Sequence, residues 1–338
     1  MRSHQALFYG TTALASALLL GSGATAFAAT FTGNLFYTYF SGPPNNVDSV
    51  TYSYDDVTHS FSLGSINHIA SLAGADGIIF DAHGNLLVGG QGSNTVYQIT
   101  TGGAPLSTGS LSTNSYHLAL DPGGGKVYTS TFEGPLQTLA LTPGLNPAVQ
   151  TAITGGDTGV TQVAFGNGGK VFYVNGNPNA NGNLGTIDLA TGVTSRLYTS
   201  VLPAHGLIFD PFTDLMTMFG DGETGTMSAT DGSGLKVSAG QYACDFDQGA
   251  VDGHGHALIA GCNEITFIDY SATGDITDIV HNFHVSIASV SNGNFNNIDD
   301  VAPLSGVGSQ QVPEPASLAL LATGLLGFGA ARRRRSRV

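Results

Sequence analysis

Tryptophan is missing from this chain of 338 residues, cysteine occurs only twice, and basic residues are rare outside the two termini. Residues 29–311 hold four Lys and Arg against 23 Asp and Glu, which gives this stretch a net charge of −19. An acidic surface of this kind repels nucleic acid and anionic lipid, so we expect no nucleic-acid partner. Divalent cations and neutral polymers such as polysaccharide remain compatible with it.

Lysine and glutamate are scarce in the same stretch, whereas Gly, Asn, Ser and Thr are abundant, and the whole chain has 48 glycines. Glycine and asparagine support tight turns, and Lys and Glu are residues that helical proteins use heavily. The composition is therefore typical of a β protein with many turns rather than of a helical one.

A strand–turn–strand pattern occurs five times along the chain. In the first copy, the run Gly77–Asp81 is followed by a turn and then by the run Gly84–Val88. The first run of each copy is mostly apolar and ends in Asp or Gly, at Asp81, Asp121, Gly166, Asp210 and Asp252. These positions are 40, 45, 44 and 42 residues apart, which is the period of a four-stranded propeller blade.

Each unit contains two more short runs that suit strands, such as Thr95–Ile99 and Pro105–Leu111 in the first unit. Five complete units extend from residue 76 to about residue 284. The chain ends supply complementary parts: residues 297–304 resemble an isolated first strand, and the second to fourth strands are matched by Gly33–Tyr37, Ser49–Tyr54 and Ser60–Ile66.

We therefore predict an all-β, six-bladed β-propeller over residues 29–305, closed by one composite blade with strands from both ends of the chain. Closure by both ends leaves no open sheet edge between the first and last blades. A seven-bladed ring is less favoured, because the interval 274–297 is too short for four further strands.

The repeats resemble those of the NHL, gluconolactonase-like and streptogramin-lyase-like propellers, in which a glycine, apolar residues, an aspartate and a second glycine follow in similar order. The resemblance spans most of residues 31–305 and implies a propeller. Gluconolactonase-like sites imply a metal held by Glu, Asn and Asp from different blades. The only glutamates between residues 29 and 311 are Glu133, Glu223 and Glu264, and none of them opens a first strand, which counts against that chemistry.

The last 27 residues combine a short Pro-Glu-Pro signal, an apolar run at 316–331 and a basic end. The signal consists of Pro313, Glu314 and Pro315, and the basic end includes Arg332, Arg333, Arg334 and Arg335. This order of parts resembles the PEP-CTERM sorting signal, which implies an exosortase-type sorting protease and a Gram-negative bacterium that makes extracellular polysaccharide. At ~1.5 Å per residue the apolar run would reach about 24 Å as a short transmembrane helix, with the arginines on the cytoplasmic side of the inner membrane.

The first residues have the pattern of an export leader. Arg2 precedes the apolar centre Ala13–Leu20, and the small residues around Phe27 predict cleavage between Ala28 and Ala29. The predicted organisation is a signal peptide at 1–28, a propeller at 29–305, a linker at 306–311 and a sorting and anchor segment at 312–338.

The two cysteines both lie in the fifth unit. Cys244 precedes the first strand of that unit and Cys262 follows the second, and these points are neighbours in an antiparallel pair. In an oxidising compartment the pair predicts a disulfide, and two buried free thiols are the alternative.

Polar side chains occur where each first strand begins, and in a propeller these positions converge at one mouth of the central channel. The candidates are Asp76, His117, Gln162, His205, Asp247, Gln248 and Asp299. Imidazoles and carboxylates on one rim suit a divalent cation, for example calcium, or an acid and a base. The alternative is that this rim is solvated in every propeller and that polar residues serve only that purpose. By contrast, His83, His254 and His256 fall in turns after first strands and are expected to face solvent.

Two functions follow from these patterns. The first is an exported, envelope-tethered propeller that acts as a binding or matrix protein, with a polysaccharide or an envelope protein as its partner. The second is a metal-dependent lactonase or lyase that uses the channel-mouth residues.

Overall fold

The computed structural model describes residues 30–39, 46–130, 134–141, 144–177 and 180–302. The predicted signal peptide, its cleavage site, the linker and the sorting segment lie outside these ranges. Within the described ranges, no helix is long and apolar enough to cross a membrane.

The described residues form β-sheets and a single 3₁₀ turn at Asn167–Gly169. The first three strands are β1 (Thr30–Tyr39), β2 (Val47–Asp55) and β3 (Ser60–Ala70). Blade 1 consists of β4 (Ile78–Phe80), β5 (Leu86–Val88), β6 (Thr95–Ile99) and β7 (Pro105–Ser110). Blade 2 consists of β8 (Leu118–Leu120), β9 (Lys126–Thr129), β10 (Leu136–Ala140) and β11 (Val149–Thr151).

Blade 3 has a short additional strand, β12 (Thr154–Gly155), which pairs in parallel with its outermost strand. The other strands of blade 3 are β13 (Gln162–Phe165), β14 (Val171–Val174), β15 (Gly182–Ile187) and β16 (Val193–Val201). Blade 4 consists of β17 (Gly206–Asp210), β18 (Leu215–Gly220), β19 (Glu223–Ser228) and β20 (Lys236–Val237). Blade 5 consists of β21 (Gly249–Val251), β22 (His256–Gly261), β23 (Glu264–Asp269) and β24 (Phe283–Ile287).

The sixth blade, here called the closing blade, joins the two ends of the described chain. Its innermost strand is β27 (Ile298–Val301), and β1, β2 and β3 follow it outward. Tyr37 pairs with Val301 and Tyr39 with Ile298, and the Ala302 N–H donates to the Phe36 carbonyl at 2.8 Å. The six-bladed, all-β prediction and the composite blade are confirmed.

The interval 274–297, which a seven-bladed ring would need for a further blade, contains the end of blade 5 and one small hairpin. Blade 5 ends at Ile287, three residues beyond the predicted limit of about 284. The hairpin pairs β25 (Ser289–Val290) with β26 (Gly293–Asn294).

The hydrophobic core is divided into six clusters, and each cluster lies between two neighbouring blades. Between blade 5 and the closing blade, for example, Leu35 and Tyr54 pack with Leu258 and Phe267, all of them at most 1% exposed. Each blade is therefore apolar on both faces, and each depends on both neighbours for its burial. A single blade would expose both of its apolar faces to water, so the blades are stable only when each lies between two others in a closed ring.

The aspartate that ends the repeated first run has a structural role. In blade 1, Oδ1 of Asp81 accepts hydrogen bonds from the backbone N–H groups of His83 and Asn85, both at 2.8 Å. Asp210 and Asp252 accept equivalent bonds from the N–H groups two residues on. A carboxylate that bonds the backbone just beyond itself fixes a tight turn, which explains why the sequence repeats this residue.

Candidate functional site

The site lies where the innermost strands of the blades begin. Asp76, His117, His205 and Asp247 each stand one or two residues before such a strand, and Asp300 lies within β27. Two glycines allow the neighbouring strands to approach closely at this level. A Cβ atom on Gly77 would lie 2.5 Å from the Tyr116 carbonyl oxygen, and one on Gly206 would lie 2.6 Å from that of Asp247.

The two histidines meet at the centre of the ring. Their Nε2 atoms are 3.2 Å apart, and both side chains are only 2% exposed. Nε2 of His205 is 2.7 Å from Oδ1 of Asp247, and Nε2 of His117 is 3.7 Å from the same oxygen. Three potential ligand atoms from blades 2, 4 and 5 therefore converge at one point.

The other ring nitrogens determine what these three atoms can do. Nδ1 of His205 lies 2.6 Å from the carbonyl oxygen of Gly176, which can only accept, so Nδ1 carries the proton. Nδ1 of His117 lies 2.9 Å from Oδ2 of Asp300 and donates to it when that carboxyl is ionised. In its neutral form His205 therefore presents an Nε2 lone pair to Asp247 and to His117. When Asp300 is ionised, Nε2 of neutral His117 does the same, and a proton or a cation between the three atoms then removes the repulsion of their lone pairs.

Carboxylates surround the histidines. Asp76, Asp299 and Asp300 are 2%, 8% and 0% exposed. Burial raises the pKa of Asp76 to about 7. Burial and the neighbouring Asp76 and Asp247 carboxylates raise the pKa of Asp299 well above its usual range, and burial together with Asp247 does the same for Asp300.

Asp247 shifts in the opposite direction. Burial by itself would raise its pKa, but the His205 and His117 imidazoles outweigh it and lower the pKa of Asp247 below its usual range. Asp247 is also the most accessible member of the set, with 18% of its side chain exposed. It is therefore the ionised member of the group and the one that a ligand from solvent would meet.

Three buried oxygens of the cluster have no hydrogen-bond partner within the described residues: Oδ2 of Asp76, Oδ2 of Asp299 and Oδ1 of Asp300. Buried polar atoms normally find partners, so unpaired carboxylate oxygens around two facing imidazoles suit a bound cation. Ligands at ~2.0–2.2 Å from a tetrahedral metal lie roughly 3.3 Å from one another. The separations of 2.7, 3.2 and 3.7 Å among His117, His205 and Asp247 are close to that value.

The donor set also indicates the class of metal. Two imidazoles and one carboxylate suit zinc, iron or manganese, whereas calcium prefers oxygen ligands alone. An oxygen-only set is present beside it, because Asp299 and Asp300 also lie close to Asp247. The residues present thus fit a divalent ion on either set, and the histidine set favours a transition metal.

The structure brings together five of the seven residues expected at the channel mouth, namely Asp76, His117, His205, Asp247 and Asp299. The two glutamines are used elsewhere. Oε1 of Gln162 accepts the Leu207 N–H at 2.5 Å, which ties β13 to β17, and Gln162 and Gln248 both line a separate cavity in the channel.

Asp300 was not among the expected residues. The signal for it was present, since two adjacent aspartates in an otherwise apolar innermost strand place one carboxylate on each face. Both carboxylates contribute here, because Asp299 shares a hydrogen bond with Asp76 while Asp300 holds His117.

The expectation that His256 faces solvent is wrong. Its side chain is 2% exposed, and Nδ1 lies 2.6 Å from Oδ2 of Asp252. His256 opens strand β22, and the rings of Phe31 and Tyr54 from the closing blade cover it. The turn after the first strand is shorter than the sequence suggested, so this histidine joins the core between the two blades.

Cys244 and Cys262 form a disulfide, with their Cα atoms 6.0 Å apart. Cys262 and Asn263 have positive φ angles of 50° and 62° in the two-residue turn between β22 and β23. The disulfide links this turn to the segment that enters β21, near the Asp247 end of the site.

Comparison with known proteins gives two separate findings, one on the C-terminal motif and one on the fold. A family model described as the PEP-CTERM protein-sorting motif matches residues 311–335, so the chain carries this sorting motif. The motif indicates export and a membrane-anchored sorting signal in the cell envelope. No curated protein matches the chain at a significant level.

Several solved structures share the fold. A protein of unknown function from Bacteroides thetaiotaomicron is 12% identical with a TM-score of 0.53, covering 81% of this chain and 86% of its own. Virginiamycin B lyase from Staphylococcus aureus is 11% identical with a TM-score of 0.52, covering 82% and 97%. The periplasmic gluconolactonase of Pseudomonas aeruginosa is 13% identical with a TM-score of 0.51, covering 80% and 98%. At these identities the likeness concerns the fold alone.

Proposed function

We propose that this protein is an exported binding protein of the cell envelope, whose propeller uses a divalent metal at the channel mouth to hold oxygen groups of an extracellular polysaccharide. The observation that carries the proposal is the convergence of the Nε2 atoms of His117 and His205 on Oδ1 of Asp247. When bound there, a metal supplies open coordination positions and a positive charge.

The protein residues define how such a ligand would approach. His117 is fixed by Asp300 and His205 by the Gly176 carbonyl, so neither ring has to rotate to bind. Asp247 is the accessible member, so its side of the cluster faces an incoming ligand. The acidic body repels anionic polymers, so a metal bridge is required for a uronate-rich chain and helpful for a neutral one.

The sorting motif supports the cellular location that this function requires. We infer that the mature protein is processed by an exosortase-type protease, is tethered to the inner membrane of a Gram-negative bacterium through residues 312–338, and then reaches the envelope or matrix. The signal peptide at 1–28 and the boundaries of the propeller and linker belong to the same proposal.

Retention on immobilised polysaccharide tests the binding function. The full chain, loaded with zinc or manganese, is passed over alginate and over dextran, with and without EDTA. We expect retention on at least one polymer that EDTA abolishes and that added metal restores. Equal passage through both matrices in every condition would refute the proposal.

A metal-dependent lactonase or lyase is the second candidate, and one observation favours it. The Asp300–His117 pair has the form of an imidazole oriented by a buried carboxylate, which is how a general base is positioned. This alternative predicts metal-dependent hydrolysis of a gluconolactone, which falls when His117 is replaced by Asn. Polymer retention without turnover supports the binding function, and turnover without retention supports the enzyme.

A further inference from the structure

Four carboxylates are gathered at the channel mouth, and their charge has to be balanced. They belong to Asp76, Asp247, Asp299 and Asp300, of which Asp247 is the most exposed, at 18% of its side chain. Carboxylates that are buried together need basic side chains, protons or bound cations as partners.

The basic side chains of the propeller are placed elsewhere. Only four Lys and Arg residues lie between residues 29 and 311. Arg196 and Lys236 form ion pairs with aspartates outside the cluster, at 2.6 and 3.1 Å. Lys126 begins β9 and Lys170 precedes β14, and both are exposed at the end of the ring opposite the channel mouth. Protons or cations must therefore balance the four carboxylates.

One divalent ion supplies half of the positive charge that these carboxylates require. An ion held by His117, His205 and Asp247 brings two positive charges, because imidazoles bind a metal as neutral ligands. A second divalent ion would balance the remaining two carboxylates. Without it, two carboxyl groups would have to stay protonated beside the first ion.

Asp247, Asp299 and Asp300 can supply the ligands of a second ion. Each offers one oxygen, and these three oxygens lie within 4.8 Å of one another. Oxygens that bind one ion at ~2.3–2.6 Å are at most about 5 Å apart, so the spread of the three suits a single ion.

Two of these residues also carry an unpaired oxygen. Oδ2 of Asp299 and Oδ1 of Asp300 are buried and have no hydrogen-bond partner within the described residues, and their residues are 8% and 0% exposed. Buried polar atoms normally find partners. The ligand atoms of a bound ion face the ion and one another, so these oxygens need no contact with solvent to bind it.

The second set contains oxygen alone, which determines the class of ion. The four carboxylates carry eight oxygens, and two of these face imidazoles, namely Oδ1 of Asp247 and Oδ2 of Asp300. Six oxygens remain, which is the lower end of the ~6–8 that calcium binds. Magnesium usually keeps several water molecules, so a buried group of protein oxygens suits it less well.

We propose that the channel mouth binds two divalent ions at once, a transition metal on His117, His205 and Asp247 and an oxygen-binding ion of the calcium type on Asp247, Asp299 and Asp300. Asp247 is the residue common to both sets and acts as the bridging carboxylate. The inference rests on the proposed function, because the first ion is the one that binds the polymer there.

Zinc and calcium distinguish the two sets of ligands. The full chain is loaded with one equivalent of zinc, freed of unbound metal and titrated with calcium chloride in a calorimeter. Elemental analysis then counts both ions. We expect one zinc and one calcium per chain, with no release of zinc as calcium binds.

Two variants each remove a ligand from one set. Asp299→Asn keeps the shape of the side chain but removes a carboxylate from the oxygen set, so it should retain zinc and bind calcium at least about tenfold more weakly. His205→Ala should lose zinc and still bind calcium. Asp214→Asn, at an exposed aspartate outside the cluster, is the matched control and should keep both ions. The melting temperature of each variant verifies that it is folded.

The remaining outcomes count against the second ion. Calcium that displaces zinc one for one would show a single site, and equal calcium binding by Asp299→Asn and the parent protein would show that calcium binds elsewhere. Zinc-dependent retention on polysaccharide by a protein that takes up no calcium would overturn this inference and leave the proposed function intact. A parent protein that binds no zinc would overturn both.

Discussion

His117 and Asp300 are 183 positions apart in the sequence, yet Nδ1 of the histidine and Oδ2 of the aspartate are joined at 2.9 Å. The bond connects blade 2 with the innermost strand of the closing blade, and so it reaches past blade 1. It forms only when the C-terminal strand β27 has entered the sheet of β1. Closure of the ring and assembly of the candidate site are therefore the same structural event.

The first prediction concerns metal binding. His205→Ala removes one of the three converging ligand atoms and leaves Asp247 without its nearest imidazole. We expect the full chain to lose at least a hundredfold in affinity for zinc or manganese, measured by titration calorimetry with elemental analysis. His281→Ala is the matched control, because that imidazole is 71% exposed and its Nδ1 pairs with Asp278 on the surface, 2.8 Å from Oδ2. Unchanged metal content in His205→Ala would contradict the assignment of the three-atom site.

The sequence predicted the ring and most of the site because both depend on the repeat. An aspartate ends the first run in four of the five repeats and a glycine ends it in the other, and the bonds of Asp81, Asp210 and Asp252 show that the aspartate fixes the turn. The period of 40 to 45 residues between these turns therefore locates the strands directly. Once the innermost strands are located, the residues before them must converge, since blades meet at the axis. His117 and His205 could be identified on that basis without knowledge of any contact.

What the sequence could not supply is the register and the neighbours across blades. Asp299 and Asp300 differ by one position, and only the pairing of β27 with β1 decides which one faces His117. The sequence pattern predicts an exposed turn position for His256. Its burial depends on Phe31 and Tyr54, which lie more than 200 residues earlier in the chain, so no local pattern indicates it. The sequence pattern predicts Gln162 at the channel mouth, but the Leu207 N–H donates to its Oε1, and no local pattern predicts this contact between blades.

The second prediction tests the closing blade. Leu35 on β1 is fully buried against blade 5, so Leu35→Ala should lower the free energy of unfolding by about 2–5 kcal/mol in denaturant titrations. Leu106→Ala is the control, since Leu106 on the outer strand β7 is 51% exposed and the loss there should stay within about 0.5 kcal/mol. If Leu35→Ala leaves the unfolding midpoint unchanged, the N-terminal strands do not contribute to the stability of the ring.

The third prediction concerns pH in metal-free protein. Burial raises the pKa of Asp76 to about 7, whereas an unfolded aspartate titrates near ~3.9, so the folded state binds the extra proton between these values. Stability should therefore be greatest at the acidic end of this window and should fall as the pH rises towards 7. The raised pKa values of Asp299 and Asp300 act in the same direction, and the lowered pKa of Asp247 matters only below the usual aspartate range.

Unfolding of metal-free protein at several pH values between 4 and 8 measures this effect. Asp76→Asn keeps the shape of the protonated acid and cannot ionise, so the decline should be smaller in this variant. Asp214→Asn is a suitable control, since Asp214 is exposed, and its φ of 60° suits asparagine. A decline that is identical in Asp76→Asn and in the parent protein would show that Asp76 does not cause it.

The fourth prediction concerns the disulfide between Cys244 and Cys262, which are 18 positions apart in the sequence. A loop of this length closed by a disulfide stabilises a fold by roughly 3 kcal/mol, so reductant should lower the melting temperature of the parent protein. The double variant Cys244→Ala, Cys262→Gly should melt at the temperature of the reduced parent and should not respond to reductant. Glycine is chosen at position 262 because the positive φ of Cys262 is a conformation that glycine adopts without strain.

The disulfide also anchors the segment that leads to Asp247, so the double variant should bind zinc or manganese more weakly than the oxidised parent. Full metal affinity in a variant with the lowered melting temperature would show that the disulfide stabilises blade 5 without positioning the site.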